Sequence, residues 1–258
     1  MDVGRAGDHH GGQEVYLAAV LPPDSEKPLL SPVAVCCDDP LLRGLAARGL
    51  ERMHARNVRF EQGKECTLKP GETGFVLTAD RVIPLTAGEA WSREQVTLLL
   101  LSLQSEKRPL YDLPSVPRTA GQIGPLLPAD AGNDCFAQRM LMEDGLAALF
   151  LLCAAMKDGP LDDWRRTLPE THIQTREIPC KLQDKGRILD AICRRTAHPH
   201  TLEEGVRIRH QQGYATVAPD PFRNAVRVTG EAASSELARE LCNFYQKQIA
   251  LITSGNTP

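Results

Sequence analysis

Residues 204–232 read EGVRIRHQQGYATVAPDPFRNAVRVTGEA, and this stretch decides the fold of the C-terminal part of the chain. Residues 206–210 and 214–217 alternate apolar with polar side chains on either side of a glutamine-glycine turn, which predicts a β-hairpin. Residues 225–229 predict a third strand. Arg207 alternates with apolar neighbours, as Arg209 does, so we expect both arginines on the solvated face of their strand.

The elements that flank this stretch complete a small domain. Residues 173–180 predict a strand, and residues 184–195 predict a helix with apolar side chains at helical spacing. Residues 235–252 predict a terminal helix by the same periodicity. The order β-α-β-β-β-α indicates a compact α+β domain over residues 171–258.

The N-terminal part has a different pattern. Residues 33–37 and 58–60 are short apolar runs typical of buried strands, with a helix predicted between them. Asp39 is suited to cap that helix and Pro40 to occupy its first position, where a missing N–H costs nothing. A strand-helix-strand unit predicts a partly parallel sheet.

Two further strands are predicted at 74–77 and 82–85, joined by the turn Thr78-Ala79-Asp80-Arg81. Ser92 and Gln95 have the spacing of a capping box and predict the start of a leucine-rich helix. This part of the chain therefore predicts an α/β unit over residues 29–105.

The remaining segments are less regular. Residues 1–28 are rich in polar residues, glycine and proline and are grouped as a flexible N-terminus, although a first ordered element is expected at residues 15–21. Five prolines between 106 and 134 predict loops or short strands. Residues 144–156 are apolar on nearly every helical face, which predicts a buried helix, and a short helix is expected at 161–167. We group residues 106–170 as one shortened segment.

Composition excludes several classes of function. The chain has 258 residues, 42% hydrophobic and 24% charged, and a formal net charge of −3, which favours neither nucleic acid nor an anionic membrane as a partner. We expect no spanning helix and no secretory signal. Eight scattered cysteines without a close-spaced pair predict free thiols in a reducing cytoplasm, with no structural zinc.

Several short motifs occur in a characteristic order. Glu143-Asp144-Gly145 opens the buried helix, EGVRI and GYATV follow at 204–208 and 213–217, and RVTGEA at 227–232 leads into the last helix. Their order and spacing over residues 30–254 resemble the α-D-phosphohexomutases, the phosphomannomutase and phosphoglucomutase group. By this resemblance, 29–105 is similar to the family's second domain, 106–170 to a shortened third domain and 171–258 to the fourth.

The resemblance implies a transfer of a phosphoryl group between O1 and O6 of a hexose through a phosphoserine. It also implies a Mg²⁺ ion held by the carboxylates of a D-x-D-x-D-R loop, a sugar-binding G-E-x-S-G loop and a phosphate-binding R-x-S-G-T-E-P loop. The serine loop, T-x-S-H-N-P in the family, belongs to a first domain for which this chain has no room. We therefore predict no catalytic residue in this chain.

The chain departs from each of the other loops. The segment 77–81 keeps one carboxylate, Asp80, which is a weak candidate for a metal ligand. Residues 133–138, near the expected sugar loop, do not match it. The segment 218–224 has lost the hydroxyls and the glycine of the phosphate loop, so Arg223, Asn224 and Arg227 are weak candidates for phosphate binding; a plain surface turn is the alternative.

We therefore hypothesise that the chain is a degenerate, non-catalytic phosphohexomutase with a sugar-phosphate-binding or regulatory role in carbohydrate metabolism. We expect this protein to need no cofactor. Its candidate partners are a hexose phosphate, an intact mutase or a sugar nucleotidyltransferase. The first alternative is an active mutase completed by another chain, which would need Mg²⁺ and a bisphosphate activator. The second alternative is a structural interaction module.

Overall fold

The structure is a computed structural model that divides into two compact units. It describes residues 8–22, 27–63, 65–113, 116–128, 133–202, 205–220 and 223–254, and for residues 8–10, 133 and 134 it describes the backbone alone. The first unit comprises Met1–Leu113 and Ala120–Pro169, and the second comprises Pro114–Thr119 and Glu170–Pro258. The predicted segments 29–105 and 106–170 therefore fall largely within one compact body, and their assignment to separate family domains stays a prediction.

The first unit begins with a helix, where the sequence predicted only an ordered element of unspecified type at residues 15–21. Helix α1 spans Asp8–Val20, inside the segment 1–28 that was expected to be flexible. Leu17 is fully buried, and the Arg48 guanidinium donates to the Gln13 side chain. The expectation of flexibility is wrong for residues 8–14, because packing against the rest of the unit stabilises a helix whose own composition is unfavourable. Residues 1–7 and 23–26 lie outside the described part of the chain.

A five-stranded mixed sheet forms the centre of the first unit. Its strands are β1 (Val33–Cys36), β2 (Val58–Glu61), β3 (Thr73–Leu77), β4 (Val82–Thr86) and β5 (Glu89–Ala90). Their spatial order is β2-β1-β3-β4-β5, with β1 parallel to β2 and β3 and the last two strands antiparallel. The predicted strands and the partly parallel sheet are confirmed.

The other α-helices in the described part of this unit are α2 (Pro40–Arg52), α3 (Arg93–Ser105), α4 (Asn133–Glu143), α5 (Gly145–Ala155) and α6 (Leu161–Thr167). The Asp39 side chain accepts from the N–H groups of Leu41 and Leu42, and Ser92 forms the predicted capping box with Gln95. Helix α5 is buried around most of its circumference, as its all-round apolar sequence predicts.

The proline-rich region contains two short parallel strands, β6 (Leu110–Asp112) and β7 (Leu126–Pro128). Helix α4 follows, in a segment for which the sequence analysis predicted no helix. Its fully buried Gln138 accepts from the Tyr111 N–H at 2.9 Å and donates to the Tyr111 carbonyl at 2.8 Å. One amide side chain thus pairs with β6 as a neighbouring strand would, which explains a buried polar residue in this helix.

The second unit is an α+β domain with the predicted elements and one extra short strand. They are β8 (His172–Pro179), α7 (Asp184–Arg195), β9 (His200–Thr201), β10 (Val206–His210), β11 (Gly213–Pro219), β12 (Ala225–Ala232) and α8 (Ser235–Thr253). The sheet order is β8-β12-β11-β10-β9, antiparallel throughout. Ile188 of α7 and Ile249 of α8 share one core with Val206 and Val228 of the sheet.

The opposite face of this sheet corrects one expectation. Arg209 is exposed, as predicted, but Arg207 is only 7% exposed. The backbone N–H groups of Arg118 and Thr119 donate to Glu231 on β12 at 2.8 and 2.9 Å, so a distant segment of the same unit lies over this face. The alternation of polar and apolar residues correctly predicted the direction of the Arg207 side chain. It did not predict that the segment with Arg118 and Thr119 lies over this face.

The cysteines give a second correction. Cys36 at the end of β1 forms a disulfide with Cys66 in the loop before β3, and the other six cysteines are free. The expectation of free thiols is therefore wrong for this pair, because Cα atoms 30 residues apart in sequence approach to 5.6 Å once β1 and β3 pair. In the described part of the chain no helix has the length and apolar character that a membrane span requires.

Candidate functional site

The turn between β3 and β4 is the position where the resemblance implies a metal loop. It closes with the Thr78 N–H donating to the Arg81 carbonyl at 2.9 Å. Asp80 is exposed at its tip, and its carboxylate accepts from the Thr78 hydroxyl at 2.8 Å. The turn therefore presents one carboxylate, which is already hydrogen-bonded within the turn.

The N-terminus of α5 lies directly behind this turn. The Gly145 N–H donates to the Ala79 carbonyl at 3.0 Å, and a Cβ atom at Gly145 would overlap the carbonyl oxygens of Thr78 and Arg81. Glycine is needed here because the two backbones approach too closely for any side chain. The Asp-Gly pair at 144–145 thus fixes the position of the turn.

Asp144 acts as the cap of α5. Its carboxylate accepts from the N–H groups of Leu146 and Ala147 at 2.9 and 3.1 Å, and from the Tyr16 hydroxyl at 2.8 and 2.7 Å. Burial, and then the hydrogen bond to Asp144, raises the pKa of the Tyr16 hydroxyl above its ordinary value. Asp144 is therefore engaged in capping, and α1 is tied to the start of α5.

These residues do not fit a Mg²⁺ ion. Mg²⁺ requires six oxygen ligands in near-octahedral geometry, commonly with more than one anionic group, and the turn offers Asp80 alone. Among the described residues, one group of three metal-ligating side chains lies within 4.8 Å, formed by Cys36, Glu61 and Cys66, and it does not include Asp80. In that group the two sulfur atoms are joined to each other and offer no thiolate to a metal.

The turn after β11 is the position where the resemblance implies a phosphate loop. The buried Asp220 carboxylate accepts from the Arg223 N–H at 2.8 Å. Lys185 is 8% exposed, and its ammonium donates to the carbonyl oxygens of Asp220 and Arg223 at 2.7 and 2.6 Å. A lysine and an aspartate therefore hold this turn through its own backbone, while Pro221 and Phe222 lie outside the described residues.

The three predicted phosphate-binding residues have different surroundings. The Arg223 guanidinium pairs with Glu177 at 2.5 Å, and Arg227 lies opposite Glu177 in the register of β12 and β8. Asn224 is exposed, and its carbonyl accepts from the Cys180 N–H at 2.9 Å. Glu177 thus places a negative charge beside both arginines, and anion binding by Arg223, Asn224 and Arg227 stays a prediction.

Sequence motifs missed two features. No sequence pattern indicated the Cys36–Cys66 disulfide, because the two residues are 30 positions apart and only strand pairing brings them together. Arg118 and Tyr214 were not singled out either, although both line a cleft in the second unit together with Arg207 and Arg209. Alternating arginines in a predicted hairpin were the only available indication of that cleft.

Comparison with known proteins supports the fold. No protein-family model matches the chain, and no curated protein sequence matches it. A solved phosphoglucomutase/phosphomannomutase family protein from Burkholderia thailandensis is similar, with a TM-score of 0.65 and 12% identity. An N-acetylphosphoglucosamine mutase from Aspergillus fumigatus, in complex with GlcNAc-6P and magnesium, gives a TM-score of 0.57 and 10% identity.

The coverage of these matches is unequal. They include 94% and 95% of this chain, but only 65% of each of the two solved chains. This chain therefore spans less than two thirds of the length of either. Within that part, it has the mixed α/β fold of the α-D-phosphohexomutases, as its short motifs predicted.

Proposed function

We propose that this chain is a non-catalytic protein of the phosphohexomutase fold. It would bind a sugar phosphate or have a regulatory role in carbohydrate metabolism, and it would not itself transfer phosphoryl groups. The proposal rests mainly on the turn at 78–81, where the phosphohexomutase reaction needs a cation-binding loop and this chain has a single carboxylate. The turn at 78–81 and its single carboxylate lie within the described residues. The proposal therefore does not depend on any segment that precedes or follows them.

The surroundings of the turn support the same proposal. Gly145 keeps the backbone packed against α5, as a chain retaining the fold requires, while the Thr78 hydroxyl engages the one carboxylate that remains. A turn packed against α5 with no second carboxylate beside Asp80 supports a chain that keeps the fold without binding the cation.

The ligand and partners are proposed by analogy with the fold. They are a hexose phosphate, an intact mutase or a sugar nucleotidyltransferase, in the cytoplasm. Six free cysteines favour a reducing compartment, and the Cys36–Cys66 disulfide argues for a more oxidising one. We retain the cytoplasm, because a single disulfide is compatible with a protected pair in a reducing compartment.

A coupled mutase assay tests this function. The chain is supplied with mannose 1-phosphate or glucose 1-phosphate, Mg²⁺ and a hexose bisphosphate, and 6-phosphate formation is followed. We expect no turnover above background, because a developing phosphoryl charge has no cation to neutralise it. An intact phosphohexomutase added to the same mixture is the positive control.

Turnover that EDTA abolishes would overturn the proposal and favour an active, Mg²⁺-dependent mutase. Thermal unfolding with increasing hexose phosphate then separates a binding protein from a structural module. A saturable rise of the midpoint supports binding, since a ligand that prefers the folded state stabilises it. A midpoint that does not change supports the structural module instead.

A further inference from the structure

The disulfide between β1 and the loop before β3 has a carboxylate beside it. Cys36 and Glu61 are register partners on the parallel strands β1 and β2, so their side chains leave the same face of the sheet. Cys66 reaches the same point from the loop, and the ligand atoms of the three residues all lie within 4.8 Å of one another. Val35 and Cys37, the neighbours of Cys36, belong to the hydrophobic core, as the alternation of a strand requires. Two sulfur atoms and one carboxylate therefore meet on one face of this sheet.

The distance between the carboxylate and the nearer sulfur is that of two ligands of one zinc ion. Glu61 Oε2 lies 3.5 Å from Cys36 Sγ, and this contact is not a hydrogen bond, because a disulfide sulfur carries no proton. When Zn²⁺ binds a thiolate at about 2.3 Å and a carboxylate oxygen at about 2.0 Å in tetrahedral geometry, the sulfur and the oxygen are about 3.5 Å apart. The Glu65 carbonyl oxygen lies 3.3 Å from the same sulfur. Two oxygen atoms are thus already close to ligand positions around a metal bound to Cys36.

The Glu61 carboxylate is held in place from its outer side. The Thr67 N–H donates to Glu61 Oε2 at 3.2 Å, and the Arg59 guanidinium pairs with Glu61 Oε1. Arg59 is itself fixed by a 2.7 Å hydrogen bond to the Glu72 carboxylate. Such outer hydrogen bonds orient the carboxylates that bind metal ions. The positive charge of Arg59 also offsets the one negative charge in excess when Zn²⁺ binds two thiolates and a carboxylate.

We propose that Cys36, Cys66 and Glu61 form a redox-controlled Zn²⁺ site. A dithiol reductant gives two electrons and two protons to the disulfide, which leaves two cysteine thiols and the disulfide of the reductant. Zn²⁺ then replaces the two thiol protons, which are released to solvent, and binds both thiolates and Glu61. The Glu65 carbonyl or a water molecule completes the tetrahedron. A disulfide oxidant reverses these steps and releases the metal.

The rearrangement that the metal requires is small. Two thiolates on one tetrahedral Zn²⁺ are about 3.8 Å apart, so the sulfur atoms move out of bonded contact mainly by rotation of the side chains. Cys36 is fully buried in the sheet, whereas Cys66 lies in a loop between the exposed residues Glu65 and Thr67. The loop therefore gives a reductant access to Cys66 and allows its side chain to adjust to the metal.

This site is distinct from the turn at 78–81 and takes a different metal. Thiolates are soft ligands that select Zn²⁺ and not Mg²⁺, and a carboxylate beside them favours Zn²⁺ over Cu⁺. The sequence analysis expected no structural zinc, because the cysteines have no close-spaced pair; strand pairing brings Cys36 and Cys66 together instead. The inference does not depend on the proposed function, and either can fail while the other stands.

Titration of the whole chain with Co²⁺ and then Zn²⁺ tests the site. The chain is reduced with dithiothreitol, separated from the reductant without air and titrated with Co²⁺, whose bonds to thiolates give a charge-transfer absorption band. We expect one Co²⁺ per reduced chain, displaced by one Zn²⁺, and no such band in the oxidised chain.

Three variants locate the metal. Cys66→Ser should abolish the band, and Cys135→Ser, which removes a free thiol of the same unit, should leave it unchanged. Glu61→Gln keeps the disulfide and an oxygen that accepts from the Thr67 N–H, so it is expected to fold. It should weaken Zn²⁺ binding at least about tenfold, because loss of a group that only orients a ligand already has an effect of that size.

The unfolding temperature supplies a second readout. Zn²⁺ should raise the unfolding temperature of the reduced chain and leave that of the oxidised chain unchanged, since only the reduced site binds the metal. If reduction alone unfolds the first unit, Zn²⁺ should restore its folding. The proposal is overturned by a reduced chain on which Zn²⁺ has no effect, by equal Co²⁺ binding in Cys66→Ser or in the oxidised chain, or by unchanged Zn²⁺ affinity in Glu61→Gln.

Discussion

Gly145→Ala is expected to destabilise the first unit by about 3 kcal/mol or more, at the upper end of the usual cost of overpacking. The new methyl group would overlap the carbonyl oxygens of Thr78 and Arg81, which belong to backbone and cannot rotate away. The Arg81 oxygen also accepts from the Thr78 N–H and lies 3.1 Å from the Thr78 hydroxyl. Relief of the overlap would therefore cost the closing bonds of the turn.

Thermal unfolding followed by calorimetry measures this effect, and we expect a midpoint lower by roughly 6–12 °C. Gly44→Ala is the matched control, because Gly44 lies in α2 and a Cβ atom there would meet nothing within 4 Å. Alanine also has the higher helix propensity, so this control should unfold at the same temperature or higher. A Gly145→Ala midpoint equal to that of the control would disprove the close packing of α5 on the turn.

Loss of the Cys36–Cys66 disulfide has the second large expected effect. The bond closes a loop of about 30 residues that includes β2, and removing it should lower the free energy of unfolding by about 3–4 kcal/mol. Cys66→Ser removes the bond without placing a hydroxyl at the fully buried Cys36 position. Cys135→Ser is the matched control, since Cys135 is a free, half-buried thiol of the same unit.

Denaturant unfolding with and without reductant tests this prediction. Reductant should lower the stability of the unmodified chain to that of Cys66→Ser and leave the variant unaffected. Thiol titration of the unfolded, unreduced chain should count six groups, and eight after reduction. Eight reactive thiols before reduction would show that the bond is absent.

The sequence predicted the regular elements well where local signals and tertiary packing agree. The Asp39 cap, the capping box at Ser92 and the all-round apolar helix after Asp144 are local signals, and each was confirmed. The ordered element at residues 15–21 was expected, but its helical type and its start at Asp8 were missed, because the contacts that bury Leu17 are not evident from the local composition.

The candidate sites show a similar limit. The single carboxylate at Asp80 was evident from the spacing of one short segment. The burial of Arg207 was not, because strand alternation predicts the direction of a side chain and not what lies over it in the folded unit. Pairing of segments that are distant in sequence forms the Cys36–Cys66 disulfide, and the periodicity of the sequence does not predict such pairing.

The measurement closest to the central claim is a calorimetric titration of the chain with Mg²⁺. We expect no saturable binding to the unmodified chain, and measurable binding to Thr78→Asp, which places a second carboxylate two residues before Asp80 on the same exposed turn. Saturable Mg²⁺ binding by the unmodified chain that disappears in Asp80→Asn would contradict the account of a turn that has lost its metal site.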